Sequence, residues 1–223
     1  MNVARRLTEA LSKRALCVRL KSQIFTIVSN NCWGAHIYQN LGQPYQTPFI
    51  GIYFAPECYI VLLSRFRWFL DQPIHFVDRS RHDYVNAYRK KENLHYPIGC
   101  LGGEVEVQFL HYASESDAIE KWNRRLKRVC SDDSKLFFKF CDRDGCTSGQ
   151  LAAFDQVPFQ NKVCFVSRPA THLRSAVPIP SLHENQVPDG LTLSRISPRY
   201  FDAAGWINGS DGRPRWWQPL RCA

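Results

Sequence analysis

Leu136-Phe137-Phe138-Lys139-Phe140-Cys141 is an apolar run that stops at Asp142-Arg143-Asp144-Gly145-Cys146-Thr147. A short apolar stretch bounded by a polar turn reads as a buried strand. In open α/β sheets, ligands bind at the carboxyl ends of the strands. Asp142 and Asp144 stand at that end, one residue apart. Carboxylates are natural ligands of Mg²⁺ or Mn²⁺ carrying phosphate. The same residues suit a type I turn over Asp142–Gly145, with Asp first and Gly fourth.

Outward from this run, strands and helices alternate. Ile24–Ser29 and Phe49–Phe54 read as strands, with helices expected near Ala35–Leu41 and after Pro56. His75–Val77 reads as a short strand, and the polar segment Asp78–Asn93 carries no clear pattern. Tyr96–Gly99 and Leu101–Gly103 read as an extended piece and a turn leading into strand Val105–Leu110. Ser114 is the expected N-cap of the clearest helix, acidic at its start and basic at its end, in accord with the helix dipole. After Leu136–Cys141 come a short helix near Ser148–Phe154, strand Val163–Ser167, an edge strand Ala176–Ile179 and a last helix from about Arg199 to Trp206. Such alternation predicts an α/β fold with a mixed or mainly parallel sheet.

Composition narrows the function classes. A chain of 223 residues is long enough for one large domain, burying about 70% of the surface it would expose unfolded. Its start, Met1–Arg6, leads into no continuous apolar region, and no stretch approaches the roughly 18 apolar residues of a membrane span. Nine cysteines, an odd number without zinc-like spacing, argue against a disulfide framework and against structural zinc. The expectation is a cytoplasmic protein. Its formal charge is +9, but residues 1–24 alone hold Arg5, Arg6, Lys13, Arg14, Arg19 and Lys21 against Glu9, a net +5. The basic region is therefore an arm over residues 1–21, helical in spacing, which suits contact with an anionic membrane surface or docking on its own domain. A nucleic-acid binder would carry a basic, aromatic-rich stripe on the folded domain, so no specific nucleic-acid partner is expected.

Several residues are candidates for chemistry. Asn30-Asn31-Cys32-Trp33-Gly34, with His36 behind it, lies where the first strand hands over to a helix. Backbone N–H groups there suit an anion such as phosphate, the asparagines supply amide donors and acceptors, and Gly34 permits close approach. Cys32 at a helix start is a candidate nucleophile, for instance in acyl or thioester transfer. The structural alternative is that an asparagine caps the helix and Cys32 packs inward. Asp142 and Asp144 match the Asp-X-Asp of many glycosyltransferases, where a divalent metal meets the donor's diphosphate. They also echo the Asp-X-Asp-Gly-Thr loop of haloacid-dehalogenase-like phosphatases. Against that, Cys146 intrudes before Thr147 and only 76 residues follow. His111 ends the Val105–Leu110 strand and is a candidate base. Arg124, mid-helix, and Arg143, between the two aspartates, are candidates for phosphate.

Taken together, Ser29–Gly34, His36–Gln39, Thr47–Phe49, Tyr96–Gly99, Phe109–Tyr112, Lys121–Arg125, Phe138–Thr147, Tyr200–Asp202 and Trp206–Gly209 form an ordered series. It resembles a bacterial domain family of unknown function whose members are often labelled exopolysaccharide biosynthesis proteins. The resemblance covers about residues 22–209, leaving the arm and the Trp-, Arg- and Pro-rich tail 210–223 outside. Ala35 stands where the family pattern often has Gly. The resemblance implies a three-layer α/β/α domain and a role in making capsule or exopolysaccharide, without supplying a mechanism. The function expected is a glycosyltransferase-like transferase acting on a nucleotide-activated or phosphorylated donor. In it Asp142 and Asp144 hold Mn²⁺ or Mg²⁺ or sugar hydroxyls, Asn30, Asn31 and the chain near Gly34 bind the donor, and His111 is a base. The alternative is a non-catalytic module binding a nucleotide sugar or glycan intermediate within an assembly complex.

Overall fold

All six residues of Leu136–Cys141 are buried in one strand. The computed structural model describes residues 19–180 and 185–213, so most of the basic arm and of the tail lies outside the described residues. In chain order the strands are β1 (Thr26–Ser29), β2 (Ile74–Val77), β3 (Ile98–Leu101), β4 (Val105–Gln108), β5 (Leu136–Cys141), β6 (Lys162–Val166) and β7 (Ala176–Pro178). The helices are α1 (Trp33–Asn40), α2 (Pro56–Ser64), α3 (Phe66–Leu70), α4 (Asp83–Lys91), α5 (Glu115–Leu126), α6 (Ser148–Gln156), α7 (Gly190–Ile196) and α8 (Ala203–Ile207). The fold is α/β. A four-stranded sheet runs in the order β1-β5-β6-β7 and is parallel throughout.

β5 shows why helices cover both faces of that sheet. Successive side chains of a strand point to opposite sides. Phe138 and Phe140 pack with Phe66, Phe159, Tyr59 and Phe154 on one side, and Phe137 with Phe25 and Trp206 on the other. Each fully buried ring contributes roughly 1.5–3 kcal/mol relative to exposure. Two separate cores result. One joins the sheet to α2, α3, α5 and α6; the other joins it to α1, α7 and α8. This is the three-layer arrangement.

The antiparallel strands form a sheet of their own, β2-β3-β4, instead of joining the parallel one. Tyr96–Gly99 was expected to be only extended, but Ile98–Leu101 pairs with both β2 and β4. Gly102-Gly103 closes the β3–β4 hairpin, with Glu104 N–H donating to Leu101 O at 3.1 Å. Phe49–Phe54 is not a strand. Gly51 sits at φ 69°, which bends the segment, and only Tyr53 pairs, in an isolated antiparallel bridge to Gln108. The patternless stretch after Asp78 contains α4, whose one buried residue is Val85. The last expected helix divides: Ser197–Arg199 is a 3₁₀ turn, and α8 starts later, capped by Asp202. α7 was not foreseen; its cap is Asp189, whose carboxylate accepts from Leu191 and Thr192 N–H. The Ser114 cap is as expected, accepting from Asp117 N–H at 3.1 Å. Near the start of the described chain, Arg19 pairs with Asp202 at 2.5 Å and Lys21 N–H donates to Asn208 Oδ1 at 2.8 Å.

α7 lies close against the start of α1 because Gly190 has no side chain. A Cβ there would stand 2.8 Å from Trp33 N and 3.1 Å from Cys32 N and C, all backbone atoms that cannot rotate away. Gly190→Ala is expected to lower stability by about 1–3 kcal/mol in urea denaturation, as overpacking does. A loss under about 0.3 kcal/mol would show that the two helices part freely.

Candidate functional site

β1 and β5 are neighbours, yet the chain leaves them in opposite directions. After β1 it turns to the face covered by α1; after β5 it turns to the face covered by α6. Connections that diverge in this way leave a crevice at the carboxyl ends of the strands. A cleft of ≈ 730 Å³ lies there. Asn31, Cys32 and His36 line it from the β1 side, Arg143 and Asp144 from the β5 side, and His111 from the loop after β4. Asp189, Gly190 and Leu191 form one rim. The loop after β1, the aspartate turn and His111 thus open onto one cleft.

The two aspartates have different surroundings. Asp142 N–H still bonds to Phe165 O on β6 at 3.1 Å, so this residue belongs to the strand end. Its Oδ2 accepts from Ser167 N–H and Oγ–H at 2.5 and 2.7 Å, and its Oδ1 from Val187 N–H at 2.8 Å. It does not line the cleft. The turn is therefore shifted by one residue from the expected Asp142–Gly145. Cys146 N–H donates to Arg143 O at 3.2 Å, and Asp144 and Gly145 both have positive φ, 62° and 78°. That pair of angles has a type I′ signature. The turn holds Asp144 over the cleft, with its N–H on Gln186 Oε1 at 3.0 Å and its carboxylate 3.3 Å from Arg143 Nε. Burial raises the Asp144 pKa above the ordinary aspartate value, although Arg143 and Lys139 pull it down. Among the described residues, no group of three or more His, Cys, Asp or Glu side chains could hold a metal ion. With both its oxygens hydrogen-bonded and its side chain outside the cleft lining, Asp142 does not join Asp144 at the cleft.

On the other side of the cleft floor, Asn30 and Asn31 are buried and both accept from the ammonium of Lys139. Asn31 Oδ1 also accepts from Trp33 N–H at 3.2 Å at the start of α1. Burial, with a smaller push from Asp189, raises the Cys32 thiol above its ordinary pKa, and Lys139 only partly offsets this. That direction opposes a nucleophilic role. Trp33 is a core residue: its ring packs on Phe165 and its Nε1–H donates to Ser197 Oγ at 3.1 Å. Gly34 serves helix–strand packing, since a Cβ would lie 3.0 Å from Ser29 Cβ. Arg124 lies on the exposed face of α5, 3.5 Å from Glu120, and does not line the cleft.

Facing this polar floor is a wall that sequence reading missed, made by Tyr53, Tyr84, Tyr88 and Tyr96 with Val85 and Leu110. Tyr84 and Tyr88 are 46% and 56% exposed. Their i, i+4 spacing within the patternless segment was the available signal. Burial, Asp144 and Tyr84 all raise the pKa of Tyr53. Behind the wall, Tyr84 O–H donates to Glu57 at 3.4 Å, Glu57 meets His82 Nδ1 at 2.8 Å, and His82 Nε2 lies 3.2 Å from Cys58 Sγ. Arg89 stacks 4.8 Å from the Tyr96 ring centre.

Fold and site together define an α/β protein with a tyrosine-walled cleft at the carboxyl end of a parallel sheet. The chain belongs to the family described as Domain of unknown function (DUF1919), whose profile matches residues 3–208. The match takes in most of the basic N-terminal segment. An uncharacterized protein of Haemophilus influenzae (strain Rd) is 34% identical over 220 residues, covering 93% of this chain and 99% of that protein.

The two aspartates should separate on mutation. Asp142→Asn replaces a carboxylate that accepts three hydrogen bonds, and is expected to cost about 1–3 kcal/mol in urea denaturation. Asp144 behaves in the opposite sense. A carboxyl with a raised native pKa stabilises the fold most below the ordinary aspartate range, and that contribution is lost as pH rises through the raised value. Asp144→Asn, which also tolerates positive φ, should therefore gain stability relative to wild type between acid and neutral pH. Parallel stability–pH curves for the two proteins would contradict the raised pKa.

Proposed function

We propose that the cleft binds a nucleotide-activated or otherwise phosphorylated sugar, and that the protein is a glycosyltransferase-like transferase in exopolysaccharide or capsule assembly. The observation that carries this reading is the meeting, in one cleft, of Arg143, Asn31, Asp144 and His111 with four tyrosines. Tyrosine rings offer flat apolar faces with a polar edge, suited to a sugar or a base. A guanidinium matches phosphate oxygens in geometry and charge. Asp144, with its raised pKa, is suited to accept the proton of an acceptor hydroxyl. As that oxygen bonds to the anomeric carbon, the bond from carbon to phosphate oxygen breaks. The leaving phosphate keeps the electron pair beside Arg143. His111 lines the same cleft and is the second candidate base. On this reading the protein works in the cytoplasm. Among the described residues no helix is long and apolar enough to cross a membrane. The basic N-terminal arm, most of which lies outside the described residues, is the segment proposed for peripheral membrane contact.

A second reading, a non-catalytic module for the same ligands, is favoured by the existing pairing of Asp144 with Arg143 at 3.3 Å. A thermal-shift screen with uridine and guanosine diphosphate sugars, with and without Mn²⁺, tests both, because a ligand specific for the native state raises the melting temperature. At least one sugar nucleotide is expected to do so. Tyr88→Ala is expected to weaken binding about tenfold, or ~1.4 kcal/mol. Asp144→Asn should keep the thermal shift and lose donor turnover. Binding with no turnover even in wild type would leave the module, and no shift with any donor would remove both readings.

A further inference from the structure

Lys139 sits in a strand buried on both faces, and none of its side chain is exposed. Its Nζ donates to Asn31 Oδ1 at 2.9 Å, Asn30 Oδ1 at 3.1 Å and Cys141 Sγ at 3.2 Å, which uses all three ammonium protons. Two of these partners are neutral amides and none is a carboxylate. An ammonium buried without an opposing charge is strongly disfavoured.

Cys141 is the side chain placed to oppose that charge, its sulfur 3.2 Å from the ammonium. It follows Lys139 by two residues, so both side chains point to the same face of β5. Its sulfur is also fully buried and receives three donors: Lys139 Nζ, Asn31 Nδ2 at 3.5 Å and Asn30 Nδ2 at 3.7 Å. As a thiol beside an ammonium, its S–H would reach an acceptor only at Asn30 Oδ1, 3.8 Å away, an oxygen that already takes a proton from Lys139. The neutral amine–thiol form of the pair is the alternative that the absorption test below separates. A sulfur ringed by donors is in the surroundings of an anion. We propose that Lys139 and Cys141 form a buried ammonium–thiolate pair that locks the amides of Asn30 and Asn31 beneath the cleft. Both residues are positioning residues: each amide turns its oxygen to the ammonium and its nitrogen to the sulfur, which fixes the lining residue Asn31. The pair itself is independent of sugar transfer; only its service to a bound donor rests on the function proposed above.

The thiolate's ultraviolet absorption band tests the pair on the full chain at neutral pH. Burial raises the pKa of Cys32, Cys58, Cys100, Cys146 and Cys164, so these thiols stay protonated and contribute little background. Wild type is expected to show the band, Cys141→Ser and Lys139→Met to lose it, and Lys139→Arg to keep it. In urea denaturation, Lys139→Met and Cys141→Ala should each lower the midpoint by leaving one buried partner unmatched. The double variant should recover much of the combined loss. An unchanged band in Cys141→Ser, or losses that simply add, overturns the pair. Should Lys139→Met and Cys141→Ala fail to fold, Cys141→Ser and Lys139→Arg still decide by their spectra. A band present in a protein that no sugar nucleotide stabilises defeats the proposed function and leaves the pair standing. Binding without the band does the reverse.

Discussion

Both faces of β5 are buried, and this constraint governs the rest of the molecule. A strand so placed accepts only apolar side chains or polar ones that are completely paired. Four of its six residues meet the first condition, and Lys139 and Cys141 meet the second through each other and the asparagines of the adjoining loop. Polar groups can otherwise collect only at the strand ends. At the carboxyl end the connections after β1 and β5 part to opposite faces, and the gap between them is the cleft. Fold and site thus follow from one strand.

Asp142 and Asp144 show how one residue of displacement changes the role of a carboxylate. Asp142 is the last position that the ladder to β6 reaches, and its oxygens tie β6 to the segment before α7. Asp144 lies beyond the ladder, on a turn of positive φ, where burial works against its charge. A carboxylate kept where it costs stability is a recognised mark of a functional position. The same contrast separates Asn31, facing the cleft, from Trp33, which is given over to the core.

Local patterns made much of the fold legible. The apolar runs of β1, β5 and β6 and the Ser114-capped helix, with acid first and base last, were readable because their signals lie within a few residues. Phe49–Phe54 misled because its apolar side chains fill the core while the backbone pairs only at Tyr53, a distinction composition does not carry. Half of the site was legible, since a loop after one strand and a turn after another both stood at carboxyl ends. The wall was not. Tyr53, Tyr84 and Tyr96 come from three segments that meet only through the second sheet, and α4 buries one apolar residue, too few for a periodic signal. Lys139 was passed over inside the LFFKFC run, although a lysine amid buried aromatics is the kind of exception that marks a paired charge.

The two sides of the cleft are also held by different forces. The floor hangs on the parallel sheet and its two aromatic cores. The wall helix α4 is fixed by Val85 and by a polar network around the buried carboxylate of Glu106, which accepts from Ser80, Arg81 and Gln108. Such a network is strong when complete but adds little apolar burial, and elements attached in this way sit at the low end of local stability. A ligand that stacks on Tyr84 and Tyr88 while its charge meets Arg143 would bridge the loosely held element to the rigid one. Binding energy would then go partly into fastening α4. Recognition in this cleft would be sensitive to Glu106, a residue outside the cleft lining.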